Sequence, residues 1–137
     1  MIKQLSVLAR RYKKFIKFCV IGLLGAAIDF GLLAALVELF QWSPVAANIV
    51  SFSAAVINNF WLNKLWTWRN QDPDYRRQFL KFTMTSLAGL LISTWLMWLL
   101  LLAGIHYLLA KVFISIVVAF WNFSVNNFWT FKERRSE

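Results

Sequence analysis

The chain has 137 residues, of which 60% are hydrophobic and only 15% are charged, and its formal net charge is +9. Soluble domains carry about a quarter charged residues, so this composition excludes an ordinary water-soluble globular protein. The single cysteine, Cys19, excludes an internal disulfide and a cysteine-based metal cluster.

Four apolar runs follow one another along the chain, at residues 18–40, 44–63, 83–103 and 107–127. Each is long enough to cross a bilayer, which takes about 20 helical residues. The first run exceeds the apolar core of a signal peptide, so we expect it to be retained. The sequence therefore predicts an all-α integral membrane protein, with residues 1–137 forming one membrane domain of four transmembrane helices.

The basic residues lie almost entirely on one side of this four-span path. Fourteen of the 15 Lys and Arg residues precede the first run, lie between the second and third, or follow the fourth, and Lys111 is the exception. The positive-inside rule then places both termini and the central loop in the cytoplasm. Such cations also meet anionic lipid head groups. Because no nucleic-acid-reading motif accompanies them, we expect no nucleic-acid partner.

The chain contains an internal duplication. Five residues near the end of the second run recur 63 residues later: Asn59, Phe60, Asn63, Trp66 and Thr67 return as Asn122, Phe123, Asn126, Trp129 and Thr130. Segments 15–33 and 79–97 align at an offset of 64. We predict one repeat over about 15–68, a second over about 79–131, and a cytoplasmic linker at 69–78. Because each repeat holds two spans, the two helical hairpins are expected to share one orientation, as parallel repeats do.

Polar residues form a stripe on the second and on the fourth predicted helix. The steps of three or four residues put each set on one helix face: Asn48, Phe52, Ala55, Asn59 and Asn63 on the second, and Lys111, Ser115, Val118, Asn122 and Asn126 on the fourth. Amides in hydrocarbon need hydrogen-bond partners, so both stripes are expected to face protein. They either join helices by hydrogen bonds or line a groove for a polar head group. For the two stripes together we favour the groove.

Ionisable residues complete the candidate site. Asp29 lies 11 residues into the first run, near the bilayer centre, and is either a buried polar contact or a residue that gates substrate or couples protons. Lys111 either snorkels to the outer interface, forms an ion pair with Glu38, or meets a phosphate there. Five basic residues at the cytoplasmic boundary are candidate phosphate ligands, although topology alone also places cations there: Lys17, Lys64, Arg69, Lys81 and Lys132.

These motifs resemble those of the GtrA-like family. The first copy has F-x-K-F from Phe15, then Gly25 and Asp29, then P-x-x-A-N-x-x-S-F, N-N-F-x-x-N and W-T-W over 44–68, and the second copy ends N-F-x-x-N-N-F-W-T-F. The resemblance implies a small bacterial inner-membrane protein of cell-surface polysaccharide synthesis. It also implies a flippase for a polyprenyl-phosphate-linked sugar or for the lipid carrier. Lys111 replaces Asn48 in the second copy and Ser93 replaces Asp29, so a shared site would be asymmetric.

Other functions stay open. A membrane adaptor that organises a glycosyltransferase would need no transport path. A small proton-coupled exporter ranks lower, because the one-sided basic residues favour a single orientation. No Gly-rich phosphate loop, metal-ligand cluster or nucleophile elbow occurs in the sequence, so we expect neither an enzyme nor a cofactor. Membrane lipids are the expected surroundings, and a homo-oligomer is expected because four helices enclose little space.

Overall fold

A computed structural model describes residues 1–132, apart from the side chains of residues 44, 45, 107 and 108. The helices are α1 (Ile2–Glu38), α2 (Pro44–Leu62), α3 (Tyr75–Leu102) and α4 (Tyr107–Val125). A short π-helix follows α2, here π1 (Asn63–Thr67), and another follows α4, here π2 (Asn126–Thr130). The chain divides into two units between Gln71 and Asp72, and each unit holds one hairpin. The all-α prediction is confirmed.

Three helices are long and apolar enough to cross a membrane, counting the described residues alone: Ile2–Glu38, Tyr75–Leu102 and Leu109–Thr130. The third of these ranges combines most of α4 with π2. Large apolar side chains stand exposed along them, such as Leu23, Leu91 and Leu109, as expected of surfaces that meet lipid. The chain is therefore a helical membrane protein. Among the described residues α2 is not one of these three candidate spans, so its crossing of the bilayer stays a prediction.

Two helices begin earlier than the apolar runs predicted. The first run was expected to begin at residue 18, but α1 begins at Ile2, because the basic segment before it contains no Gly or Pro to interrupt a helix. The linker was expected to span 69–78, but α3 begins at Tyr75. The side chain of Asp74 caps that helix by accepting a 3.4 Å hydrogen bond from the backbone N–H of Arg77. The segment between the helical parts of the two repeats is thus shorter than predicted.

Short turns close both hairpins. The Ser43 hydroxyl caps α2 by accepting a hydrogen bond from the backbone N–H of Ala46, and a proline follows Ser43 at the start of the helix. After α3, Gly104 has a φ of 80° and donates its N–H to the carbonyl of Leu101, while Ile105 donates to Leu100. This is a Schellman motif, in which glycine takes the left-handed position. Short turns hold the two helices of each unit antiparallel.

Both returning helices end in a π turn. The backbone N–H of Trp68 donates to the carbonyl of Asn63 at 2.9 Å, and that of Phe131 donates to Asn126 at 2.9 Å. Each bond joins residues five apart, which is the π-helical pattern and is often found at functional positions. The predicted runs continued as regular helix through residues 63 and 127, whereas α2 ends at Leu62 and α4 at Val125. The asparagines of the repeated motif therefore begin the π turns.

Candidate functional site

An asparagine packs against a glycine in each unit. In the first unit, the side-chain amide of Asn59 lies where a Cβ on Gly25 would stand. In the second, the Oδ1 of Asn122 lies 2.9 Å from the Cβ position of Gly89. Both glycines are buried. The two glycines occupy equivalent positions in the two repeats, and so do the two asparagines. The absence of a glycine side chain is what lets each amide reach the facing helix of its own unit.

Several side-chain oxygens along these contacts are buried without a bonded partner. The Oδ1 atoms of Asp29, Asn59 and Asn122 have no hydrogen bond to any described residue. Asp29 lies four residues after Gly25, so it shares the helix face on which Asn59 packs. Buried polar atoms are nearly always hydrogen-bonded, and an exception costs about 1–3 kcal/mol. These oxygens are therefore the first candidates for contact with a polar ligand.

The π turns add a second pair of buried polar residues to each unit. In π1, the Thr67 hydroxyl donates to the Oδ1 of Asn63 at 3.0 Å, and Asn63 is only 1% exposed. In π2, Asn126 is also 1% exposed, but neither its Oδ1 nor the Thr130 hydroxyl bonds to a described residue. The same four-residue spacing thus has a closed hydrogen bond in one unit and two unbonded oxygens in the other.

The polar stripes are not buried along their whole length. Asn48, Lys111 and Ser115 are exposed at the turn end of α2 and α4, which contradicts a stripe enclosed by protein from end to end within one chain. The Ser115 hydroxyl donates to the Lys111 carbonyl at 2.7 Å, so it is satisfied within its own helix and needs no facing residue. The protein-facing residues of each unit lie towards its π turn, here called the π end. We use "the seam" for these residues: Gly25, Asn59 and Asn63 in the first unit, and Gly89, Asn122 and Asn126 in the second.

A lysine lies over a tryptophan ring at that end of each unit. The Nζ of Lys17 is 5.2 Å from the ring centroid of Trp66, and the Nζ of Lys81 is 5.0 Å from that of Trp129. These distances are within the range of cation–π attraction. Both lysines are half-buried, so their ammonium groups are held in place by the ring but still reachable.

The other three predicted phosphate ligands are placed differently. Lys64 is 5% exposed, and its Nζ donates to the Oδ1 of Asn70 at 3.0 Å in a buried hydrogen bond. Its ammonium is therefore engaged within the first unit. Arg69 and Lys132 are exposed. Arg69 has a φ of 47°, a left-handed backbone conformation uncommon for a residue with a side chain.

A family model and two known proteins match this chain. The family model described as "GtrA/DPMS, transmembrane domain" matches residues 17–131, which include both units' motifs. The chain belongs to the GtrA/DPMS transmembrane-domain family. A dolichol-phosphate mannosyltransferase of Pyrococcus furiosus is 33% identical over 112 residues, which are 78% of this chain and 30% of that protein. The uncharacterized membrane protein YngA of Bacillus subtilis is 27% identical over 124 residues, 90% of this chain and 83% of that one.

This GtrA/DPMS chain spans less than a third of the Pyrococcus protein that it matches. Its similarity to that protein therefore concerns a membrane segment. The family match begins at Lys17 and leaves the first part of α1 outside it.

Four residues of this GtrA/DPMS site were absent from the predicted set. They are Gly25, Gly89, Thr67 and Thr130, which contact or neighbour the seam asparagines. All four recur in the duplication, and that recurrence was the available signal. Asn70, the partner of Lys64, carried no such signal.

Proposed function

We propose that this chain moves a polyprenyl-phosphate-linked sugar, or the polyprenyl-phosphate carrier, across a bacterial inner membrane during cell-surface polysaccharide synthesis. The observation that carries the proposal is the duplicated seam, in which Asn59 and Asn122 bring buried oxygens against Gly25 and Gly89. In hydrocarbon these oxygens have no water to bond, so a polar head group is a natural partner. Membership of the GtrA/DPMS family supports a lipid-linked sugar as the cargo.

A seam of this kind would lower the cost of moving the head group. Placing a phosphate in hydrocarbon without partners costs several kcal/mol or more. In the proposed mechanism the polyprenyl tail stays in lipid, and only the head group passes the amides. A lysine at the π turn of each unit binds the phosphate, Lys17 in the first unit and Lys81 in the second, and Lys111 binds it at the opposite leaflet.

The arrangement in the membrane is part of the same proposal. In it all four helices cross the bilayer and both termini are cytoplasmic, which the one-sided distribution of basic residues supports. The seam opens sideways to lipid or lies between copies in a homo-oligomer. The chain acts without catalysis and without a cofactor.

Transport can be measured with purified protein in proteoliposomes. A labelled polyprenyl-phosphate sugar is placed in one leaflet, and its exposure to a membrane-impermeant reagent is followed with time. We expect protein-dependent equilibration between leaflets, slowed by Asn59→Ala, with Ser53→Ala on the exposed face of α2 as a matched control. A leaflet distribution that is the same with and without protein would refute the proposal.

A second candidate is a membrane adaptor for a glycosyltransferase. One observation favours it: the Pyrococcus relative is named a mannosyltransferase and is over three times as long as the segment matched here. An adaptor would need the basic linker but not the seam. Asp29→Asn and Lys111→Ala would then leave polysaccharide output normal, whereas substitutions in segment 69–78 would weaken binding of the transferase. Reduced polysaccharide output with Asp29→Asn and Lys111→Ala, together with normal transferase binding by the variants in segment 69–78, would instead support transport.

A further inference from the structure

The first part of α1 is longer than a membrane span requires. α1 has 37 residues, a length of about 55 Å, whereas the hydrocarbon core is about 30 Å thick. We use "the arm" for residues 2–16 of α1. The arm precedes the family match, which begins at Lys17. It therefore needs its own physical explanation, apart from the seam.

The arm is amphipathic along its whole length. At 100° per residue, its large apolar side chains fall on one arc of the helix: Ile2, Leu5, Leu8, Tyr12 and Ile16. These side chains are exposed, with Leu8 58% and Tyr12 67% accessible. The opposite arc carries Lys3, Ser6, Arg10, Lys13 and Lys14. One valine, Val7, interrupts that polar face.

The charge of the arm specifies the chemistry of its partner. Five of its 15 residues are Lys or Arg, and the first acidic residue of the chain is Asp29. A second copy of the arm would oppose cations with cations, which disfavours self-association. An exposed apolar face beside a cationic face fits a membrane surface rich in anionic lipid, where each basic residue adds attraction.

We propose that the arm lies in the interface of an anionic leaflet, with Leu5, Leu8 and Tyr12 towards the acyl chains and the basic residues among the phosphate groups. This placement requires α1, which is continuous from Ile2 to Glu38, to bend near Lys17 where it leaves the interface and enters the bilayer. The arm would thus tie this end of the chain to anionic lipid whether or not the chain transports a lipid-linked sugar.

Site-directed spin labelling of the full chain tests this placement. Cys19→Ser removes the native thiol, and one nitroxide is attached at Leu8→Cys or, as the matched control, at Ser6→Cys on the opposite face. Each protein is placed in nanodiscs of phosphatidylcholine with or without phosphatidylglycerol. Both faces of a nanodisc are accessible, so the direction of insertion does not affect the result.

In anionic discs, the label at position 8 should contact oxygen, which dissolves in the bilayer, and be protected from a water-soluble nickel chelate. The label at position 6 should meet nickel about threefold more often than the label at position 8. Omitting phosphatidylglycerol, or combining Arg10→Gln, Lys13→Gln and Lys14→Gln, should raise nickel contact at position 8. Circular dichroism checks that each variant keeps its helix content.

Three outcomes would overturn the proposal. Equal nickel contact at both positions in anionic discs would mean that the arm projects into water. Protection at position 8 that is the same in neutral discs would remove the need for anionic lipid. Dipolar broadening between labels at position 8 that disappears on dilution with unlabelled protein would identify a second copy as the occupant.

Discussion

The side-chain oxygen of Asn122 lies 2.9 Å from the point where a Cβ on Gly89 would stand. Real Cβ atoms do not approach so closely, so any residue larger than glycine must displace the amide or separate the two helices. The first unit repeats this relationship between Asn59 and Gly25. An amide held against a glycine is therefore a property of the hairpin itself, and it leads to direct tests.

Adding one methyl group at Gly25 should destabilise the protein. Gly25→Ala forces its Cβ into the Asn59 amide, and overpacking of this kind costs about 1–3 kcal/mol. We expect a lower midpoint of thermal unfolding in detergent micelles, partly restored by the shorter side chain of Asn59→Ser. Gly31→Ala is the matched control, because a Cβ there meets no atom of the described residues within 4 Å. Equal midpoints for the two alanine variants would show that the Asn59 amide moves away freely.

The two π turns should respond differently to loss of a hydroxyl. Thr67→Val removes the donor that bonds to the Oδ1 of Asn63, and an orphaned buried acceptor costs about 1–3 kcal/mol. Thr130→Val removes a buried hydroxyl without a described bond, so stability should be unchanged or slightly higher. Chemical unfolding of both variants in micelles measures the difference. Similar losses would indicate that the Thr130 hydroxyl has a partner in the membrane.

Two of the predicted phosphate ligands should separate into a binding and a structural role. Lys17→Gln should weaken binding of a polyprenyl phosphate, while stability changes by about 0.5–1 kcal/mol from the lost contact with Trp66. Lys64→Met should chiefly lower stability, because it breaks the buried hydrogen bond to Asn70. Thermal unfolding with and without the lipid separates the two effects. A Lys64→Met variant as stable as the parent but unable to bind the lipid would reverse these roles.

Neutralising Asp29 should slow transport without unfolding the protein. Asp29→Asn keeps the shape of a side chain whose Oδ1 is buried without a described hydrogen bond, but replaces a proton-binding oxygen by an amide. We expect slower lipid transfer in the proteoliposome assay and unchanged helix content. Ser93→Ala, at the equivalent position of α3, is the control and should transfer lipid at the parent rate. Normal transfer by Asp29→Asn would remove this carboxylate from the proposed path.

The duplication was readable from the sequence because side-chain identity recurs at constant spacing. The lysine–tryptophan contacts occupy matching positions in the two units, Lys17 with Trp66 and Lys81 with Trp129. In each unit the Asn and the Thr of the motif also begin and end the π turn, as Asn63 and Thr67 do in π1 and Asn126 and Thr130 do in π2. A motif repeated intact indicates which residues share an environment, even where it does not reveal what that environment is.

Burial at the two ends of the seam could not be predicted in the same way. Asn48 in α2 and Asn63 at the start of π1 belong to one predicted stripe, yet the first is exposed and the second is enclosed. Helical periodicity indicates a direction around one helix, but not how closely the facing helix approaches at each level. The burial of Lys64 depends on the backbone path through Arg69 to Asn70, and the hydropathy of the sequence does not indicate that path.

The π turns change how substitutions at the end of α2 should be designed. A bond between residues five apart, as from Trp68 to Asn63, accommodates one residue more per turn than the α-helix. Each residue of an α-helix advances about 100° around the axis, so an α-helical wheel continued past Asn63 assigns the later side chains to the wrong sector. Trp66, whose ring lies beneath Lys17, is one of these later side chains. Register, as much as residue identity, keeps that ring beneath its lysine.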